Sequence, residues 1–323
     1  MLYSLLKLPA RFAMKIYCRR LKINHPELLQ SEGPLLIAAN HPNSFLDAII
    51  VATLFRRPVY SLVRGDVYRN PFYARILNAL LMLPVYRMSE GQENLGLNYG
   101  TFERCRNIFL KKGIVLIFSE GRSINEWKMR PLMKGTARLA LSSWEAGIPL
   151  RILPLGINYQ SFLSFGKNIE LNFGKAFGKE ILLNGNSYGQ SIQLFNNHLK
   201  EALIKLVANF STADHDHIVN HFKIQVPFSK RILLFPFYIL GAFLHAPLFL
   251  PVKLLCLKKA LHNDHYDSVM TGLLFFGYPI YLILAGLVLY ALFSSIILAL
   301  LPLTFPFLAW SHVQLKNQFS WKQ

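Results

Sequence analysis

The chain predicts an α/β fold, a mixed sheet flanked by helices, with an N-terminal amphipathic helix and a C-terminal membrane hairpin. Three observations carry this reading. Short apolar runs alternate with helical patterns from residue 58 to residue 210, a basic residue recurs every four positions near the start, and residues 269–311 hold no Asp, Glu, Lys or Arg across 43 positions. They divide the chain into a basic membrane-surface helix over 1–30, an α/β domain over 31–225 and a membrane-associated region over 226–323.

In the first segment Lys7, Arg11, Lys15 and Arg19 lie four apart and Lys22 follows three later, beside an apolar face of Leu5, Leu8, Phe12 and Ile16. On a helix these residues form a cationic stripe next to an apolar one, the pattern of a helix that lies in an interface and favours anionic lipids. Charge interrupts the apolar positions too often for a spanning helix or a cleaved signal sequence.

Pro34-Leu35-Leu36-Ile37-Ala38-Ala39 is short, apolar and bounded by Gly33 and Asn40, which reads as a core strand. It delivers Asn40-His41-Pro42-Asn43-Ser44-Phe45-Leu46-Asp47 to the strand's C-terminal edge, where open α/β sheets place their sites. An imidazole with a carboxylate on one nitrogen is held in one tautomer and suits a general base. On an unbroken helix, residues six apart lie about 120° off the same face, so the segment must bend. Pro42 and the turn-prone Asn43-Ser44 pair supply the bend, with Ser44 as N-cap, helix over 45–54, His41 in the loop and Asp47 in the first turn.

A second apolar run, Gly113-Ile114-Val115-Leu116-Ile117-Phe118, ends in Ser119-Glu120-Gly121-Arg122-Ser123. Gly121 permits a tight turn, and Arg122 offers a planar fork of donors that matches a phosphate. Between these blocks lies Leu83-Pro84-Val85-Tyr86-Arg87, and after them Gly147-Ile148-Pro149-Leu150-Arg151-Ile152-Leu153-Pro154-Leu155. Elsewhere 58–63, 148–157 and 169–173 read as strands, and 71–83, 94–112, 134–146 and 187–210 as helices.

The last third differs in kind. The uncharged 269–311 stretch suits two spanning helices, whereas 232–252 contains Pro236, Pro247 and Pro251 with His245 and reads as broken, re-entrant or interfacial. If only the last two span, Lys253, Lys258, Lys259, Lys316 and Lys322 all stay on the side of the α/β domain, as the positive-inside rule prefers.

At 53% hydrophobic, 16% charged and a formal charge of +18, the chain is both apolar and basic, which points to a membrane surface. No Lys/Arg run exceeds two and no zinc-finger or base-stacking signature occurs, so a nucleic-acid partner is not expected. Cys18, Cys105 and Cys256 are scattered, which indicates neither a disulfide framework nor a zinc site. Asp214-His215-Asp216-His217 with His221, and the later run His262-Asn263-Asp264-His265, have spacings that can hold a metal, but read better as solvated connectors.

Over about residues 34–160, the four blocks in this order resemble the glycerolipid acyltransferase family of lysophosphatidate and glycerol-3-phosphate acyltransferases. That family usually has four residues between His and Asp where this chain has five, a spacing similar to the His-x-Asn-x-x-x-Asp block of the fungal-type glycerol-3-phosphate acyltransferases. Its third block is usually Phe-Pro-Glu-Gly-x-Ser, and here Ser119 replaces the Pro. The resemblance implies acyl transfer from a thioester to a hydroxyl of a glycerol phosphate in phospholipid biosynthesis, with His41 as base and Asp47 orienting it. It places Glu120, Gly121, Arg122 and Ser123 in the acceptor site, Arg122 on the phosphate, with Arg87 a second phosphate candidate. It implies no metal and no cofactor beyond acyl-CoA or acyl carrier protein as co-substrate, membrane lipids as partners, and a catalytic domain on the cytoplasmic face. The direct transfer it implies requires no enzyme nucleophile, so a serine acyl-enzyme is not invoked. The competing class is an inactive acyltransferase fold that binds lipid or serves as a membrane scaffold, which the longer spacing and Ser119 would also fit.

Overall fold

Strands buried on both faces read as continuous apolar runs, and the run at 35–39 lies at the centre of the sheet for that reason. The computed structural model describes residues 2–86, 96–182, 185–211, 214–261 and 263–318. In chain order it forms α1 (Leu2–Tyr17), β1 (Cys18–Ile23), β2 (Leu35–Ala39), α2 (Ser44–Leu54), β3 (Val59–Arg64), α3 (Pro71–Ala79), β4 (Met82–Val85), α4 (Leu97–Leu110) and β5 (Ile114–Phe118). There follow α5 (Lys134–Glu145), β6 (Arg151–Tyr159), β7 (Lys167–Phe173), α6 (Tyr188–Ile204), α7 (His215–Phe222), α8 (Phe228–Lys259), α9 (Tyr266–Phe293), α10 (Ile296–Ala299) and α11 (Phe305–Leu315).

The sheet has seven strands in the order β1-β7-β6-β2-β5-β3-β4, and every neighbouring pair is parallel except β6 with β7. The mixed α/β sheet flanked by helices is therefore the observed fold. Period-two alternation sends Leu35, Ile37 and Ala39 of β2 into one apolar layer and Leu36 and Ala38 into the other. Because β5, β2 and β6 are adjacent and parallel, their C-terminal ends share one edge.

Three elements of the α/β part differ from the sequence reading. The N-terminal helix stops at Tyr17, and Arg19 and Lys22 belong to β1 rather than to a helical stripe running toward residue 30. The cause is tertiary: 18–23 completes the sheet beside β7, Lys22 pairs with Glu170 at 3.2 Å, and the Arg19 guanidinium reaches the end of α11. What is left of the amphipathic helix keeps Leu5, Leu8 and Phe12 exposed. The predicted helix over 71–83 ends at Ala79, because Leu81 turns the chain with φ 60° into β4. The segment around His215 is not a solvated connector but α7, whose Ile218 and Phe222 are buried.

Three C-terminal helical segments are long and apolar enough to cross a membrane: Phe228–Lys259, Tyr266–Phe293 and Ile296–Leu315. The first is not broken, although it contains Pro236, Pro247 and Pro251. Its neighbours pack along both halves, with Tyr238 stacked on His312 and Tyr278 hydrogen-bonded to His245 at 2.9 Å, and such packing can offset the loss of backbone bonds at proline. At Gly241 a Cβ would come 2.4 Å from the Leu308 carbonyl oxygen, so only glycine lets α8 and α11 cross this closely. The irregular segment is instead the last, where α10 and α11 are separated by a turn containing Pro302.

Helix α8 is tied to the α/β domain near both ends. Lys230 in its first turn bonds Gln314, which in turn donates to the Arg19 carbonyl, while Phe249 packs edge-on against Phe165 with ring centroids 5.7 Å apart. By contrast α9 leaves the domain and turns back at Ser294, whose φ of 50° is left-handed.

Candidate functional site

The loop after β2 bends as the six-residue spacing requires. Asn43 and Ser44 turn the chain, Ser44 with φ 51°, so that α2 begins with Asp47 in its first turn. Asp47 is fully buried, and its Oδ2 lies 2.8 Å from His41 Nδ1 while also accepting the Asn43 N–H at 2.8 Å. Its other oxygen accepts the Tyr159 hydroxyl at 2.7 Å from the end of β6. A carboxylate accepts hydrogen bonds, so Nδ1 carries the hydrogen and Nε2 presents a lone pair. Nε2 makes no hydrogen bond among the described residues, and the His41 side chain is 16% exposed. The ring lies flat on Phe118, with centroids 3.8 Å apart, which leaves rotation little room.

The loop after β5 lies alongside. Glu120 is buried with both oxygens engaged, Oε2 accepting the His41 N–H at 3.0 Å and Oε1 the Arg130 N–H at 2.8 Å. Burial pushes its pKa up, and those two N–H groups pull it back. The carboxylate thus braces His41 rather than facing an open cleft. Ser123 Oγ accepts the Ser44 N–H at 2.7 Å, a second brace between the loops. Gly121 has φ +67°, and a Cβ would meet Met133 at 2.9 Å, so both conformation and space require glycine. Ser119 uses its N–H, which a proline lacks, to bond the Ala39 carbonyl at 2.9 Å, and its hydroxyl receives that of Thr136 at 3.0 Å. Arg122 is exposed and makes no ion pair or hydrogen bond among the described residues, so its guanidinium is free for an anion. Arg87 lies outside the described residues.

Further residues that clasp the site were not apparent in the sequence. Asn43 Nδ2 donates at 2.7 Å to Asp267 at the start of α9, and Asp267 is ion-paired with Lys167 at the start of β7. Both charges are buried, at 1% and 0% exposed, and Lys167 also lies 5.7 and 5.8 Å from the Tyr17 and Tyr159 ring centres. His265 Nδ1 lies 2.7 Å from Ser44 Oγ, and Asp264 accepts the Asn125 N–H at 3.2 Å, so this connector holds the site loops rather than being merely solvated. His262 lies outside the described residues. The one hint was a single Asp at the head of an otherwise uncharged run; its partner is set by topology.

The assembled site has a fixed imidazole with one free nitrogen at a sheet edge, an exposed guanidinium nearby, and apolar helices beneath. That arrangement can remove a proton from a hydroxyl beside an anion. Among solved structures, the chain resembles the 1-acyl-sn-glycerophosphate (LPA) acyltransferase PlsC from Thermotoga maritima at 14% identity and TM-score 0.41, covering 62% of this chain and 78% of that one. No curated protein matches. The Acyltransferase family model matches residues 20–158, from β1 into β6, the stretch that carries His41, Asp47 and the 119–123 loop.

Proposed function

We propose that this chain is a membrane-bound O-acyltransferase that moves a fatty acyl group from acyl-CoA or acyl carrier protein to a hydroxyl of glycerol-3-phosphate or lysophosphatidate. The observation that carries the reading is the His41–Asp47 pair, with Nδ1 fixed at 2.8 Å and Nε2 free at the C-terminal edge of the sheet. His41 Nε2 takes the proton of the acceptor hydroxyl as its oxygen attacks the thioester carbonyl. Collapse breaks the C–S bond, and the departing thiolate takes the proton back, so the products are an ester and a thiol. Asp47 stabilises the imidazolium between these events, and Tyr159 and the Asn43 N–H hold Asp47. An inert lipid-binding scaffold would not need this fixed base. The longer spacing is accommodated by the Ser44 turn and Ser119 by its ladder bond, so neither departure disrupts the pair.

The acceptor phosphate is assigned to Arg122. Arg122→Ala should raise the acceptor KM about 10- to 150-fold, the size of a lost charge-assisted contact, with the donor KM unchanged and Lys rescuing only partly. Initial rates with each substrate varied in turn check this, and a pure donor defect would remove Arg122 from the acceptor site. Rates on glycerol-3-phosphate, lysophosphatidate and an unphosphorylated glycerol analogue, measured with the purified protein, test the substrate class.

The proposed membrane side is supported by the ties of α8 to the domain. In this reading α8, linked to the domain through Gln314 and Phe165, lies beneath it while α9 and the α10–α11 segment form the hairpin, an arrangement that would keep Lys253, Lys258, Lys259 and Lys316 on the cytoplasmic, catalytic side as the positive-inside rule prefers. Lys322 lies outside the described residues. Cysteine labels at Lys258 and Lys316 should react from the same side as the catalytic domain, and one at Ser294 from the other. Labelling of position 258 from the far side would mean that α8 crosses.

A further inference from the structure

Away from His41, a half-open space lies where β1 meets the start of α8 and the end of α11. Its volume is about 250 Å³, and Arg19, Arg20, Val226, Pro227, Lys230 and Gln314 are among the residues that line it. Arg19 is only 7% exposed. Its Nε donates to the Val313 carbonyl at 3.0 Å and its Nη2 to the Lys316 carbonyl at 2.7 Å, which closes the C-terminus of α11. The third nitrogen, Nη1, is buried and has no partner among the described residues, an unfavourable state for a charged donor unless an acceptor is supplied. Lys230 bonds Gln314 at 2.7 Å and sits 5.5 Å from the Trp310 ring centre, and Arg20 is exposed. Among the described residues no carboxylate lines the space. Lys316, at the same end of α11, is buried enough that burial, and then the charges of Arg19, Lys167 and Lys253, push its pKa down to about 8. On the next residues of α8, Arg231, Ile232, Phe235 and Pro236 line an open cleft of about 300 Å³ with an apolar wall.

We propose that this cavity binds a phosphate group, that of an anionic phospholipid headgroup, through Arg19 Nη1, Arg20 and Lys230, with the lipid's chains running along the α8 cleft. The site is distinct from the acceptor site and does not depend on the proposed reaction. A bound headgroup would fasten the β1 edge to the first turn of α8 and to the end of α11, which Arg19, Lys230 and Gln314 already link.

The test uses the full chain in neutral detergent, with binding followed by tryptophan fluorescence, since Trp310 lies under Lys230. Probes are short-chain phosphatidylglycerol, short-chain phosphatidylcholine and inorganic phosphate. Wild type should bind phosphatidylglycerol saturably and more tightly than phosphatidylcholine. The R20Q/K230Q double variant should weaken that binding about 10-fold or more. It keeps the Arg19 cap and the cations Lys7, Arg11 and Lys15 of α1, so general attraction to anionic lipid is retained. If the double variant does not fold, R20Q alone, altered at an exposed side chain, should show a smaller loss in the same direction, and R20K should restore binding. Competition by inorganic phosphate would assign recognition to the phosphate alone, and failure to compete would assign it to the whole lipid; either result supports the site. Equal affinity for the two lipids, or unchanged affinity in the variants, would overturn it.

Discussion

His41→Ala should lower turnover about 100- to 10,000-fold, the usual contribution of a positioned general base, while the unfolding midpoint stays near that of the wild type. The small effect on stability is expected because the His41 backbone N–H, not its ring, bonds Glu120, and that contact survives truncation. The ring's own partners are Asp47 and Phe118, and its loss leaves Asp47 still bonded by Asn43 and Tyr159. Asp47→Asn should be nearly as severe for turnover, since an amide can present either a donor or an acceptor to Nδ1 and no longer stabilises the imidazolium. Steady-state rates with saturating substrates, beside a thermal melt, separate the two effects. A well-folded His41→Ala protein with ordinary turnover would remove the imidazole from the chemistry.

Asp267→Ala should cost about 3–5 kcal/mol of folding stability, because it leaves the Lys167 ammonium buried without its counter-charge. The same substitution frees the Asn43 side chain, so turnover should fall as well, although Asp267 touches no reacting group. Replacing both charges, as in K167M/D267L, should recover most of the stability, since a well-packed apolar pair removes the desolvation penalty at its source. It should not recover turnover, because the Asn43 clamp is still missing. That split between stability and rate identifies a positioning role. An Asp267→Ala protein as stable as the wild type would show that the buried pair does not hold α9 to the sheet.

The architecture was legible where pattern and burial agree. β2, β3, β5, β6 and β7 lie within a few residues of the apolar runs that indicate them, since runs of that length between turn residues have few other uses. The His41–Asp47 pairing was legible too, because Pro42, Asn43 and Ser44 can only bend the chain there. β1 was not. Its residues continue the helical spacing of α1, and only the vacant edge of β7 makes a strand of them. The α8 prolines marked a break that neighbouring helices prevent. The clasp formed by Asp264, His265 and Asp267 joins residues more than 130 positions from the loops they hold, a pairing that local pattern does not encode. Glu120 was legible as part of the site but not as an inward-facing brace, because only the fold shows where its two oxygens go.

The most direct test of the central proposal is to follow thiol release and ester formation together, using the purified full chain in lipid, a radiolabelled acyl thioester and a glycerol phosphate acceptor. The expected result is acceptor-dependent thiol release matched mole for mole by labelled ester, with both lost together in His41→Ala. Thiol release with no acceptor requirement and no ester product, or no transfer to any glycerol phosphate by the folded protein, would contradict it.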